Sequence, residues 1–177
     1  MRKNLGPKSL CYPMPVFIVA TYNEDGTENA MTAAWGGITE ENEITVCIDN
    51  IHKTAINLPQ RNAFTVAMAT AETVKACSYV GTVSGMDDAD KFKKSGFTAT
   101  RSALVDAPII NELPMVLECE MKSYDPAACR LIGRIVNVAV DEAYMKADGT
   151  IDIEKLQPLT YDPLTRSYIT LGARVAR

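Results

Sequence analysis

The spacing of apolar and polar residues changes along the chain, and the two-residue period of strands comes first. Pro15-Val-Phe-Ile-Val-Ala-Thr21 is a run of β-branched and aromatic residues. Such side chains suit a pleated, buried surface, so the run predicts a strand. Asn23-Glu24-Asp25-Gly26 follows directly. An Asp-Gly pair tolerates the backbone of a tight hairpin, and the chain is expected to return as a second strand from Thr27 to Ala34. Trp35-Gly36-Gly37 reads as a break. Glu43 to Asp49 reads as a third strand with Ile44, Val46 and Ile48 on one face. Together these segments predict an antiparallel meander.

The pattern then alternates between the two periods. Thr54 to Gln60 predicts a short helix with Thr54 as its N-cap, and Ala63 to Ala69 a strand. Ala71 to Val80 and Ala89 to Lys94 predict two more helices, the second stopped by Ser95-Gly96. From Met115 to Met121 apolar and acidic residues alternate, with Met115, Leu117, Cys119 and Met121 on one face and Glu118 and Glu120 on the other. Leu131 to Val140 reads as a longer strand, joined to it through the turn at Tyr124-Asp125-Pro126. Many strands around a few short helices predict an α+β or β-barrel domain in preference to a doubly wound βαβ sheet. No repeat, linker or low-complexity tract divides the chain, so residues 1–177 are expected to form one domain.

Composition narrows the class of function. A chain of 177 residues, 47% hydrophobic, holds enough apolar material for one core of its own. Its net charge is -4, and its lysines and arginines are scattered among acids, which argues against a nucleic-acid partner. Met1-Arg2-Lys3-Asn4 is basic, but Pro13 and Pro15 interrupt any secretory core behind it. No stretch has the length of a membrane span. The five cysteines, Cys11, Cys47, Cys77, Cys119 and Cys129, are odd in number and include no CxxC. They form neither a disulfide framework nor a metal motif, and the expected compartment is the reducing cytoplasm.

Candidate chemistry is mostly defined by exclusion. His52 is the one histidine, which removes catalytic triads and metal sites built on several imidazoles. No GxSxG elbow, GxGxxG fingerprint or GxxxxGK[ST] loop is present. The many carboxylates read as a solvated surface. What stands out is Asn29-Ala30-Met31-Thr32-Ala33-Ala34-Trp35, a strand of small and polar residues ending in the single tryptophan. It has two readings. Ala30, Ala33 and Ala34 are small enough for a flat ligand to approach the backbone, with Thr32 adding a hydroxyl and Met31 and Trp35 apolar walls; alternatively, Met31, Ala33 and Trp35 simply fill a core. Lys53 and Thr54 likewise read either as an anion anchor at a helix start or as a cap beside a solvated lysine.

The Asn-x-Met-Thr-x-x-Trp segment resembles the isoalloxazine-contacting strand of the flavin-reductase-like proteins, and of their flavoredoxin branch in particular. Ile51-His52-Lys53-Thr54, and Ser84-Gly85 followed by Asp90-Lys91-Phe92, resemble further elements of that family in order and spacing, over residues 10–172. The resemblance implies a split β-barrel and FMN as cofactor. It places Asn29, Ala30, Met31, Thr32, Ala33, Ala34, Trp35, Asp49, Ile51, His52, Lys53, Thr54, Ser84, Gly85 and Lys91 around that cofactor, with no catalytic acid or base and no metal. Many members carry an arginine near the phosphate, where this chain offers His52 and Lys53. A homodimer is implied, and hydride or electrons would pass between NAD(P)H and FMN or a further acceptor. Two alternatives differ in class: a flavoredoxin-type electron carrier that keeps its FMN and serves a redox protein partner, and a binding domain that has lost its flavin.

Overall fold

The computed structural model of the chain describes residues 1–175. In chain order the elements are β1 (Phe17–Tyr22), β2 (Glu28–Ala33), β3 (Gly36–Glu40), β4 (Glu43–Cys47), α1 (Lys53–Arg61), β5 (Ala63–Met68), α2 (Val74–Thr82) and α3 (Lys91–Lys94). There follow β6 (Ala99–Arg101), β7 (Pro108–Ile110), β8 (Met115–Asp125), β9 (Arg130–Val140), a 3₁₀ turn (Glu142–Tyr144), α4 (Ile153–Leu156), β10 (Leu159–Asp162) and β11 (Ser167–Thr170).

Seven strands form one antiparallel sheet in the order β2-β1-β5-β8-β9-β4-β3, with β6-β7 and β10-β11 as separate two-stranded pairs. Every residue of β1 is buried. Its alternate side chains feed two cores: Phe17 and Val19 join Ile44, Val46, Phe64, Leu117 and Leu131, while Ile18 and Ala20 pack with Cys77, Val80, Phe92 and Ile110. The first cluster unites strands far apart in the sheet order. The sheet therefore curls until one face closes on itself, and α2 and α3 cover the other side. The architecture is mainly β with a few helices, a split β-barrel.

The strong periodic segments fold as the pattern predicts. In β8, Leu117 and Cys119 face the inner core with Met115 and Met121 packed beside them. Glu118 lies on the other face, where it accepts hydrogen bonds from the Ser102 hydroxyl and, at 2.7 Å, from Asn137.

Four expectations are corrected. The meander does not form, because β4 pairs with β3 and β9 while β2 pairs with β1 alone. The break lies at Ala34 and Trp35, and Gly36-Gly37 already belong to β3. The residue capping α1 is His52, without a side-chain cap, and Thr54 is buried inside the first turn. The second helix starts at Val74, because Thr73 bonds back to Thr70 and holds the preceding residues in a turn.

Candidate functional site

Strand β2 ends the sheet on one side, so its outer edge carries backbone N–H and C=O groups that no neighbouring strand uses. The start of α1 and the end of α2 flank that edge. Between them lies a cleft of about 190 Å³.

Asn29 anchors the floor. It is buried, and its Nδ2 donates to the Thr54 hydroxyl at 2.8 Å, tying β2 to the first turn of α1. An unpaired amide there would cost about 1–3 kcal/mol, so the bond fixes both side chains. Because no side chain caps α1, the N–H groups of its first turn remain available to an anion. On the opposite wall Thr32 donates its hydroxyl to the Cys77 carbonyl at 2.5 Å and holds α2 against β2. The loop after α2 then folds back over the floor. A Cβ at Gly85 would stand 2.7 Å from Asn29 Oδ1 and 3.3 Å from Lys53 Cβ, so only glycine permits this approach.

The electrostatics are one-sided. His52, Lys53 and Lys91 line the cleft, and no carboxylate does. Lys91 is only 5% exposed. Among the described residues no carboxylate pairs with it, and burial pushes its ammonium down from the ordinary 10.5 to about 8. Lys53 is half-buried and already contributes a weak attraction to Asp25, whose carboxyl is lowered chiefly by its hydrogen bond from Thr27. A buried cation without a partner is costly unless a ligand supplies the counter-charge. The residues present therefore fit a phosphorylated cofactor of the FMN type: a cation set for its phosphate, a glycine cradle, and strand-edge amides that match the donors and acceptors of a flat polar ring.

Of the residues singled out in the sequence, the cleft brings together Asn29, Met31, Thr32, His52, Lys53, Thr54, Ser84, Gly85 and Lys91. The others stand elsewhere. The Ala30 and Ala33 side chains are buried in the two cores, leaving only their backbone near the edge. Ala34 lines two adjoining cavities, and Trp35, 56% exposed, lines the one formed with the N-terminal segment. Asp49 and Ile51 are exposed and outside the cleft; Asp49 accepts the Ile51 and His52 backbone N–H groups and so shapes the approach to α1. Val80 to Val83 also line the cleft. No motif marked them, because they contribute shape and backbone instead of distinctive side-chain chemistry.

Comparison with known proteins gives a consistent result. The family model described as "Flavin reductase like domain" matches residues 9–167. The structure is similar to flavoredoxin of Desulfovibrio vulgaris (Miyazaki F), with a TM-score of 0.95 and 35% identity over 100% of this chain and 97% of that one. It is also similar to a flavoredoxin from Methanosarcina acetivorans, with a TM-score of 0.87 and 24% identity over 100% and 95% of the two chains. An FMN-binding domain of a flavin reductases-like enzyme from Shewanella baltica OS155 shares the fold, with a TM-score of 0.80 and 21% identity over 92% and 88%.

Proposed function

This chain belongs to the flavin reductase-like domain family and its cofactor is FMN; on that premise we propose that the cleft beside β2 holds the cofactor and that the protein is an oxidoreductase moving hydride or electrons between NAD(P)H and FMN or a further acceptor. The observation that carries this reading is Lys91, a buried lysine with no carboxylate partner among the described residues, in a cleft lined by cations. Lys91 and Lys53 hold the phosphate, with the uncapped start of α1 adding backbone donors. Asn29, Met31 and Thr32 bound the edge along which the cofactor lies, and Ser84-Gly85 closes over it and excludes water.

When bound, FMN supplies both two-electron and one-electron chemistry. The chain contributes orientation and charge, and no side chain of the cleft is assigned a proton transfer. The working form is taken as a cytoplasmic homodimer acting as a single-domain unit over residues 1–177. Trp35, Ile38 and Ile51, which are 56%, 62% and 70% exposed, supply apolar surface for the partner copy. Among the described residues no helix is long and apolar enough to cross a membrane.

The test is the absorbance of FMN-loaded protein mixed anaerobically with NADH or NADPH. Rapid loss of the oxidised flavin band with either nucleotide supports the reading. Bleaching by dithionite but by neither nucleotide refutes direct NAD(P)H oxidation and favours a second reading, an FMN-bearing electron carrier serving a redox protein. The full-length similarity to the Desulfovibrio flavoredoxin supports that alternative.

A further inference from the structure

The wall of the cleft formed by the segment between α2 and α3 is held differently from the other two. Asn29 and Thr54 join β2 to α1, and Thr32 joins β2 to α2. From Val83 to Asp90, by contrast, no residue is buried. The hydrogen bonds of this segment are local: the Val83 N–H donates to the Tyr79 carbonyl, those of Asp87 and Asp88 to the Ser84 carbonyl, and that of Met86 to the Ser84 hydroxyl. Among the described residues none crosses the cleft to β2 or α1. Gly85 lies against Asn29 and Lys53 by packing alone. A surface strap with few buried contacts and only local hydrogen bonds opens at low cost.

The strap leads directly into Lys91, where its closed form carries a penalty. Lys91 begins α3 and is buried, although Lys93 and Lys94 on the same short helix are exposed. Docking of Phe92 in the core fixes that orientation. No carboxylate lines the cleft, and His52 and Lys53 line it with Lys91. The acids of the strap supply no counter-charge either: Asp88 is paired with Lys94 at 2.8 Å, and Asp87 and Asp90 are exposed. Burial accordingly pushes the Lys91 ammonium down to about 8. At pH 7 the closed strap therefore holds an uncompensated charge, and opening, which lets water reach Lys91, relieves it.

We propose that residues 83–91 form a strap latched by the phosphate group of the cofactor: without a phosphate the strap opens repeatedly and hydrates Lys91, and with one bound it stays shut. The proposal rests on the reading that FMN occupies the cleft. It gives the phosphate a second task besides anchoring, because a ligand shifts such an equilibrium only through a group that binds the two forms unequally. The ring and ribityl chain, which riboflavin shares with FMN, bring no counter-charge to Lys91.

Amide hydrogen exchange of the full chain at pH 7, followed by mass spectrometry on peptides covering residues 82–92, reads the strap directly. The protein is compared FMN-free, saturated with FMN and saturated with riboflavin, with occupancy set by flavin fluorescence. FMN is expected to slow exchange in the strap by about tenfold or more, and riboflavin by less than about threefold. Lys91→Met, which removes the charge, should slow the strap of the FMN-free protein by about tenfold or more. Equal exchange with and without FMN overturns the proposal, as does riboflavin protecting the strap as well as FMN, or an FMN-free Lys91→Met variant that exchanges like the parent. The two flavins on the parent protein decide the matter even where the variant does not fold, which lost protection of β5 and β8 would reveal. Uptake of FMN without protection of the strap refutes the latch and leaves the cofactor site standing. A protein that takes up no FMN refutes the cofactor site, and the latch with it.

Discussion

Replacing Lys91 with methionine keeps an unbranched apolar stem, one atom shorter, and removes the charge, and the effects on stability and on binding should have opposite signs. Folding lowers the ammonium from 10.5 to about 8 by desolvation. At about 1.4 kcal/mol per pH unit, that change costs the FMN-free protein on the order of 3 kcal/mol at neutral pH. Between pH 8 and 10.5 the unfolded chain binds more protons at this residue than the folded one. The cost is therefore fully present below pH 8 and fades as pH rises toward 10.5, so the FMN-free protein gains stability across that window. Lys91→Met should remove both the cost and this pH dependence, raising the melting temperature by up to about 10 °C at pH 7.

FMN should respond in the other direction. A charge-assisted contact with the phosphate is worth about 1.5–3 kcal/mol, so the variant should bind FMN about 10- to 100-fold more weakly. Riboflavin has no phosphate and its affinity should hardly change. Urea unfolding of the FMN-free protein from pH 7 to 10.5 and fluorescence titration with both flavins provide the measurements. A methionine variant that is less stable and binds FMN normally would refute the reasoning, because it would make Lys91 a structural residue unrelated to the phosphate.

The remaining predictions use the same titrations. Gly85→Ala places a methyl group 2.7 Å from Asn29 Oδ1, so FMN affinity should fall by about tenfold or more; unchanged affinity would place the loop outside the site. Lys53→Ala should weaken FMN about tenfold to a hundredfold and spare riboflavin, while equal losses for both flavins would indicate damage to the fold. Thr54→Val leaves the buried Asn29 amide without its acceptor, and urea unfolding should report a loss of about 1–3 kcal/mol. Light scattering of the FMN-loaded protein should report a dimer; a monomer carrying full flavin would exclude the partner copy from the working form.

The strands visible in the sequence are those long enough to express a period. β4, β5, β8 and the Asp25-Gly26 hairpin follow local rules, and β1 reads as a continuous apolar run because it is buried on both faces. β3 is hidden by its two leading glycines, and β6, β7, β10 and β11 have only three or four residues each. Nor does any local pattern state that β4 will pair with β9; that follows from closing the inner core. The same limit applies to the cleft. Asn29, Lys53 and Gly85 were recognisable as a set through their resemblance to a family. The burial of Lys91 was not visible, because Lys91-Phe-Lys-Lys94 looks like helix surface, and only the docking of Phe92 into the core turns its neighbour inward.

The strand order also affects how the protein is made. β4 must wait for β9, with Glu43 paired to Arg134 and Cys47 to Arg130, so more than 80 residues separate the two halves of that ladder. At a synthesis rate of about 5–20 residues per second the wait is about 4–16 s. The β1–β2 hairpin, which carries much of the cofactor cleft, is local and pairs early, but the face of β1 that lines the inner core stays uncovered until β8 and β9 emerge. Such distant pairings place the folding of the complete chain on the millisecond-to-second scale. During that interval the open edge of β4 and the apolar face of β1 are the surfaces through which a nascent chain is most exposed to aggregation.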